Sequence, residues 1–539
     1  MRLRSEGGST LIKGHLAIIL HAHLPYVRHP EYDNFLEERW FFEVMTETYI
    51  PLIKVLSRLV RDKVPFEITI SLSPTLICMM EDPILIRRYR DHLEKLIELA
   101  EKEKGRTRYS GHLQWLASSY HQNFLETRSV FDFWGGRLIE AFSWLYKQKH
   151  VQLITTSATH AVLPLLASEP RAIRCQVSEG VKAFKQAFGF KPQGFWLPEC
   201  AYIPGIEEYL REQDIRYFFL ESHGIEHASV LPLHGVYAPL YTPSGVAVLA
   251  RDQGCTEEVW SANKGFPGDP NYREFYRDIG HEVDFEYIRP YMSGNIRVDT
   301  GIKYWRITGR GYHHKEYYDP YLAREKAAEH AAVFMNRRAD QISHIASTMG
   351  SGTPLVVATF DAELFGHWWF EGPQWLDFLI RKVAYDQNDF SLISPLAYLN
   401  LHPVHQYGVP GISSWGSKGY FDVWCNGKTD WVLTQVYECI RRMVKLSESG
   451  EALSARRPLV KRALNQCVRE LLLAQCSDWP FIITNGTAEQ YASRRIRDHV
   501  SRFHFLANGI ENNSLEENDL SSLELLDCIF PEADYQVFT

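Results

Sequence analysis

Two carboxylates stand where apolar runs end, each with aromatic rings close by in the sequence. Glu199 lies in WLPECAY (196–202), between Pro198 and Cys200, at the close of the run GFWLP. Asp361 follows LVVATF and belongs to FDAELFGHWWFEGP (360–373), which also offers Glu363, His367 and two tryptophans. A carboxylate pair on a rigid scaffold beside aromatic platforms suits glycosidic chemistry. One group attacks the anomeric carbon, while the other protonates the leaving oxygen and later deprotonates the acceptor. Residue type alone leaves a structural ion pair open as the alternative for each of them. Glu363 reads as structural, turned away from the face of Asp361.

Histidines form a second constellation. HAHLPY (21–26) places His21 and His23 after the run AIIL, and His160 follows LITTSAT. An HxH pair on one face of a first strand also suits a metal-dependent amidohydrolase, with His160 and Asp361 as eligible further ligands. The strand of Glu199 supplies no ligand for such a site, and no strand-borne bridging lysine is evident. The other task for these imidazoles is to bind sugar hydroxyls or to orient the carboxylates. Glycine-rich GISSWGSKGYFDVWCNGKTDW (411–431) carries Trp415, Trp424 and Trp431 and fits a sugar platform. Asp478 and Trp479 in AQCSDWPFI (474–482) fit helix-end packing as well as function.

The elements that must position these residues alternate strand and helix. HLAIILHAH (15–23), FEITISLSP (66–74), VQLITTSATH (151–160), GFWLPEC (194–200), YFFLES (217–222) and PLVVATFDAELF (354–365) read as strands, with amphipathic helical stretches between them. Such alternation predicts parallel βαβ units in a barrel or a doubly wound sheet. The chemically capable residues all follow their apolar runs, as they do at the C-terminal mouth of a barrel. Residues 112–150 read as an inserted helical piece. Residues 223–315, rich in Gly, Pro and Tyr and carrying short β-like pieces, read as long loops over the mouth. After about 400 the pattern turns helical, at 428–447, 455–476 and 485–507. NNSLEENDLSS reads as a solvated linker, and CIFPEADYQVF is apolar enough to dock back.

With 58 Lys and Arg against 66 Asp and Glu, the net charge is −8, and there is no basic block of the kind that marks a nucleic-acid-binding protein. Nine scattered cysteines without a CxxC pair argue against a zinc cluster or a disulfide framework and suit a reducing compartment. The N-terminus MRLRSEGGSTLIKG has no apolar leader core, and no run reaches membrane-spanning length, so a cytoplasmic protein is expected.

Taken in order, HAHLPY (21–26), ATHAVLP (158–164), WLPECAY (196–202), TFDAELFGHWW (359–369) and AQCSDWPF (474–481) resemble the motif blocks of glycoside hydrolase family 57, specifically its 1,4-α-glucan branching enzyme group. The resemblance runs from about residue 14 to the end. It implies an α/β fold, an incomplete (β/α)7 TIM-like barrel over 14–400 that includes the insertion and the lid, and a C-terminal all-helical domain over 401–539. It implies a retaining mechanism with Glu199 as nucleophile and Asp361 as acid/base. Substrate contacts would fall on His21, His23, Trp40, His160, Arg251, Trp260, Gly268, Trp415, Trp424 and Asp478, with Trp415 and Trp424 as the acceptor platform. Cys476 replaces the first of two serines that usually precede the Asp of the fifth block. An α-1,4-glucan is the expected donor and acceptor, without cofactor, metal, nucleic acid or membrane. An α-amylase or 4-α-glucanotransferase of the same family would keep the same carboxylates.

Overall fold

The computed structural model describes residues 12–309, 314–350, 352–454 and 458–539. The first eleven residues, where an apolar leader core was sought, lie outside it, as do 310–313 of the lid region and 455–457 of the predicted 455–476 helix. No helix among the described residues is long and apolar enough to cross a membrane.

Ten strands form one sheet: β1 (Gly14–Ala22), β2 (Ile68–Leu72), β3 (Val151–Thr156), β4 (Gly194–Trp196), β5 (Tyr217–Leu220), β6 (Leu240–Tyr241), β7 (Ala247–Ala250), β8 (Leu355–Asp361), β9 (Phe390–Leu392) and β10 (Gln406–Tyr407). Their order is β10-β6-β7-β5-β4-β3-β2-β1-β8, with β9 pairing β1, and every pairing is parallel except β6 with β7. The sheet curls until Asp252, two residues past β7, donates its N–H to the carbonyl of Val357 on β8 at 2.8 Å. That bond brings the two margins of the incomplete barrel together.

Alternation decides what fills the barrel. Ala17 and Ile19 of β1, Ile154, Trp196, Phe219, Leu249, and Leu355 and Val357 of β8 pack in one cluster inside it. Leu16, Ile18, Leu20, Val356, Ala358 and Phe360 belong to the outer core that meets the helices. Both faces are covered, which is why these strands read as unbroken apolar runs. Continuing the inner parity by one step brings His21 and Asp361 to the mouth, where they are register partners on neighbouring strands.

Several expectations are corrected. The segment between β2 and β3 is helical from Pro74 onward, so the predicted piece at 112–150 is only the second half of a four-helix excursion. Residues 223–315 include β6 and β7, which join the sheet. The helix Pro320–Thr348 that leads into β8 has no strong apolar stripe and went unread. The predicted linker is partly the helix Glu517–Leu526, held by Arg462, which pairs with Glu517 and with Glu524 (2.6 Å). Phe530, Tyr535 and Phe538 of the tail are buried, as its apolar content required.

Candidate active site

A cavity of about 720 Å³ opens at the C-terminal ends of the strands. His21, His23, Trp40, His160, Glu199, Asp361, Trp415 and Asp478 all line it. These residues come from β1, β8 and the turns after β1, β3 and β4, from the helix Glu38–Val44, the 411–431 loop and the C-terminal helices, so chain segments hundreds of residues apart converge on one space.

Glu199 sits in a short turn after β4 with φ 60° and ψ 20°, and Cys200 and His160 also have positive φ. Side chains other than glycine rarely adopt this conformation, and strain of this kind concentrates at functional sites. The turn is fixed from outside: Trp415 N–H donates to the Glu199 carbonyl (3.0 Å), and Tyr202 and Ser413 exchange two backbone bonds (2.8 and 3.2 Å). The same tryptophan's Nε1–H donates to Glu199 Oε2 at 2.6 Å.

The other oxygen terminates a hydrogen-bonded chain. Ser477 Oγ donates to Glu199 Oε1 (3.1 Å), and Ser477 Oγ lies 2.8 Å from His160 Nδ1. His160 Nε2 faces His21 Nε2 at 2.9 Å, and His21 Nδ1 meets Ser71 Oγ at 3.1 Å. Burial first, then neighbouring imidazoles, hold both His21 and His160 well below the usual histidine range, so both rings are neutral. With Ser477 donating to the carboxylate, only one direction satisfies two neutral rings. Ser71 donates to His21, His21 to His160, and His160 to Ser477. Every donor in the chain points toward Glu199.

Asp361 differs. Among the described residues no donor reaches its carboxyl. Burial raises Asp361 to about 6, against the pull of His23 and Arg251, with the charge of Asp478 adding to the rise. Burial likewise raises Glu199 to about 8, opposed by the Trp415 bond and reinforced by the charges of Asp478 and Asp361. Two interacting carboxyls titrate as a pair, so the proton held between these limits belongs to both. Two influences oppose each other here: both Glu199 oxygens accept hydrogen bonds, which favours its charged form, while burial raises Glu199 further than Asp361.

Asp478 opens the helix Asp478–Asn485 and accepts from His23 Nε2 (2.8 Å) and from the Cys476 thiol (2.9 Å). Burial works upward on this carboxyl, but the charge and hydrogen bond of His23, with His160 and the thiol, hold it down to about 2. The C-terminal helices are pinned to the end of β3 by Gln176, which donates to Gln475 (2.8 Å) and Thr159 (2.9 Å).

Four predicted contacts lie elsewhere. Trp424 is buried beneath Gly416, where an added Cβ would come within 2.7 Å of the indole, so Trp424 supports the Trp415 loop and offers no platform. Trp260 is exposed and outside the cavity wall. Gly268 lies in a lid turn so tight that a Cβ would meet the Ala262 carbonyl at 2.2 Å. Arg251 pairs with Glu221 (2.5 Å), with its guanidinium 5.6 Å from the Trp415 ring.

Glu363 needs the opposite correction. Residues two apart on a strand share a face, so alternation gives no reason to turn Glu363 away from Asp361, and the strand in any case ends at Asp361. The turn Ala362–Leu364 brings Glu363 to the cavity wall, where it accepts from His23 N–H (3.2 Å) and from the Tyr49 hydroxyl. Burial, with the charge of Asp361 second, pushes Glu363 up to about 8. Glu47, Ser477 and Phe481 were also missed, although Ser477 and Phe481 lie in the fifth block, and Trp368 was read only as one of two tryptophans beside the carboxylates.

His23, His160 and Asp478 present ligand atoms within 4.8 Å of one another, the spacing of a metal site. His160 already spends both nitrogens on Ser477 and His21, and His23 Nε2 is spent on Asp478, so a cation would have to break these bonds. A second such group, Glu470, His499 and Asp527, is buried beside Arg502, which pairs with Asp527 at 2.6 Å and disfavours another cation.

Comparisons with known proteins fit this geometry. A family model described as glycosyl hydrolase family 57 matches residues 17–409, and one described as the 1,4-alpha-glucan branching enzyme C-terminal region matches 435–538. The chain is 34% identical over 548 residues to the 1,4-alpha-glucan branching enzyme TK1436 of Thermococcus kodakarensis, covering 96% of this chain and 77% of that protein. The solved structure of the alpha-amylase AmyC from Thermotoga maritima is 41% identical with a TM-score of 0.91, covering 98% of this chain and 99% of that one. A branching enzyme from Pyrococcus horikoshii matches at 32% identity and a TM-score of 0.86, covering 98% and 97%.

Proposed function

Because the chain belongs to glycosyl hydrolase family 57, we propose that it is a retaining 1,4-α-glucan branching enzyme with Glu199 as nucleophile and Asp361 as acid/base. The observation that carries the assignment of roles is the asymmetry of donors: two reach Glu199 and none reaches Asp361. Glu199 attacks the anomeric carbon of an α-1,4-linked glucosyl unit while Asp361 gives its proton to the departing 4-oxygen. The glycosyl group then rests as an ester on Glu199. Asp361, now a carboxylate, takes the proton of an acceptor 6-hydroxyl, whose oxygen attacks the anomeric carbon and releases Glu199. The match of residues 435–538 to a branching enzyme C-terminal model, in the region that supplies Ser477 and Asp478, supports branching over simple hydrolysis. The free cysteines fit a cytoplasmic setting, where polymeric α-glucan serves as donor and acceptor.

The likeness to AmyC favours one competing reading, an α-amylase on the same carboxylates. Incubation with amylose followed by enzymatic debranching separates the two. New α-1,6 branches are required by the proposal, and reducing ends without branches would establish the amylase instead.

A further inference from the structure

The cavity extends past Asp361 along its own loop to His367, Trp368, Glu43 and Trp40. Chemistry assigns this half. The same carboxyl protonates the leaving oxygen and deprotonates the incoming hydroxyl, so leaving group and acceptor occupy the Asp361 side in turn. Trp415, bonded to Glu199, belongs to the opposite half, and the sequence-based acceptor platform of Trp415 with Trp424 is thereby displaced.

His367 is held with unusual care. Its Nδ1 lies 2.6 Å from Glu47 Oε2. Glu47 lies within the π-helical turn Met45–Tyr49, a rare wide turn that recurs at functional sites. The buried Arg273 guanidinium approaches the other Glu47 oxygen at 3.7 Å, and the Phe275 ring meets the imidazole edge-on at 5.6 Å. Gly366, at φ 116°, lets the loop press against this turn, for a Cβ there would sit 1.8 Å from the Glu47 carbonyl. Among the described residues Nε2 has no partner, although the ring lines the cavity. Burial alone would lower the ring's basicity, but the Glu47 bond and the charges of Glu47 and Glu43 raise it; with Nδ1 paired to Glu47, Nε2 donates when the ring is charged and accepts when it is neutral.

We propose that His367, oriented by Glu47, is a specificity-determining residue of the acceptor half: its free Nε2 hydrogen-bonds a hydroxyl of the incoming glucan and so favours sugar over water. The proposal rests on the transglycosylase reading above. Its function is to hold the acceptor while Asp361 removes the 6-hydroxyl proton.

The test uses the full chain with amylose as donor and a maltosaccharide as added acceptor, measuring transfer and hydrolysis together. For His367→Ala the transfer-to-hydrolysis ratio should fall about tenfold, the effect of losing one hydrogen bond, with the acceptor KM rising more than kcat falls. Glu47→Gln, which keeps the imidazole but loosens it, should move the ratio in the same direction by less, and His367→Gln should restore part of it. An unchanged ratio in a folded variant, with transfer and hydrolysis falling together, would overturn the proposal. If His367→Ala fails to fold, Glu47→Gln decides by the same ratio. A parent enzyme that hydrolyses amylose but uses no sugar acceptor would sink the branching reading itself, a result distinct from an unchanged ratio in a branching parent.

Discussion

The two walls of the cavity are built on opposite principles. The Glu199 wall is saturated: Trp415 and the Ser71–His21–His160–Ser477 chain aim donors at one carboxylate. On the Asp361 wall no donor among the described residues reaches the Asp361 carboxyl, and a π-turn fixes Glu363 and His367 around it. Buried carboxyls of similar chemistry thus acquire different jobs from their surroundings. Hydrogen bonds to the charged form favour ionisation, and burial without them favours the proton.

Breaking the saturated wall at its centre has the largest expected effect. Glu199→Gln should lower kcat by about 10⁴-fold or more, the scale of losing a nucleophile, in assays of glucan turnover with folding checked by circular dichroism. Asp361→Asn should cost about 10²–10⁴-fold, as for general acid–base groups. Its first step should recover with a glycosyl fluoride donor, whose leaving group needs no proton. Recovery of the Glu199 variant by the same donor would invert the roles.

Trimming one donor sharpens the contrast. Trp415→Phe removes a bond to a charged group and should lower kcat roughly ten- to a hundredfold. Without that donor the Glu199 carboxylate is less favoured, so its pKa rises and the acid limb of the rate profile moves to higher pH. An equal substitution on the other wall, Tyr49→Phe beside Glu363, should change kcat only a few-fold, a neutral hydrogen bond being worth about 1 kcal/mol.

The parent profile follows from the pair. Below about 6 both carboxyls hold protons and no nucleophile exists; above about 8 neither holds one and no acid exists. The pH dependence of kcat/KM should therefore be a bell with limbs near those values, and a single limb would show that the two groups do not act together.

Much of this was legible before any coordinates. The strands that carry His21, His160, Glu199 and Asp361 are buried on both faces, so their apolar runs announced them and the residues after them. The weak points were places where local pattern carries no information. Trp424 reads like Trp415 in sequence, yet one indole packs under Gly416 and the other bonds Glu199, a difference set by loop closure. Glu363 was misplaced because residues two apart on a strand share a face, and the turn after the strand keeps it on the cavity side. Glu47 was invisible, since a π-turn inside a helix of ordinary composition leaves no periodic signature, and its partner lies 320 residues away.

The most direct test is covalent. The Asp361→Asn variant, given an activated glycosyl fluoride, should accumulate an ester that mass spectrometry of its peptides locates on Glu199. An adduct on any other carboxylate, or rapid turnover with inversion at the anomeric carbon and no adduct, would contradict the assignment of roles to the two walls.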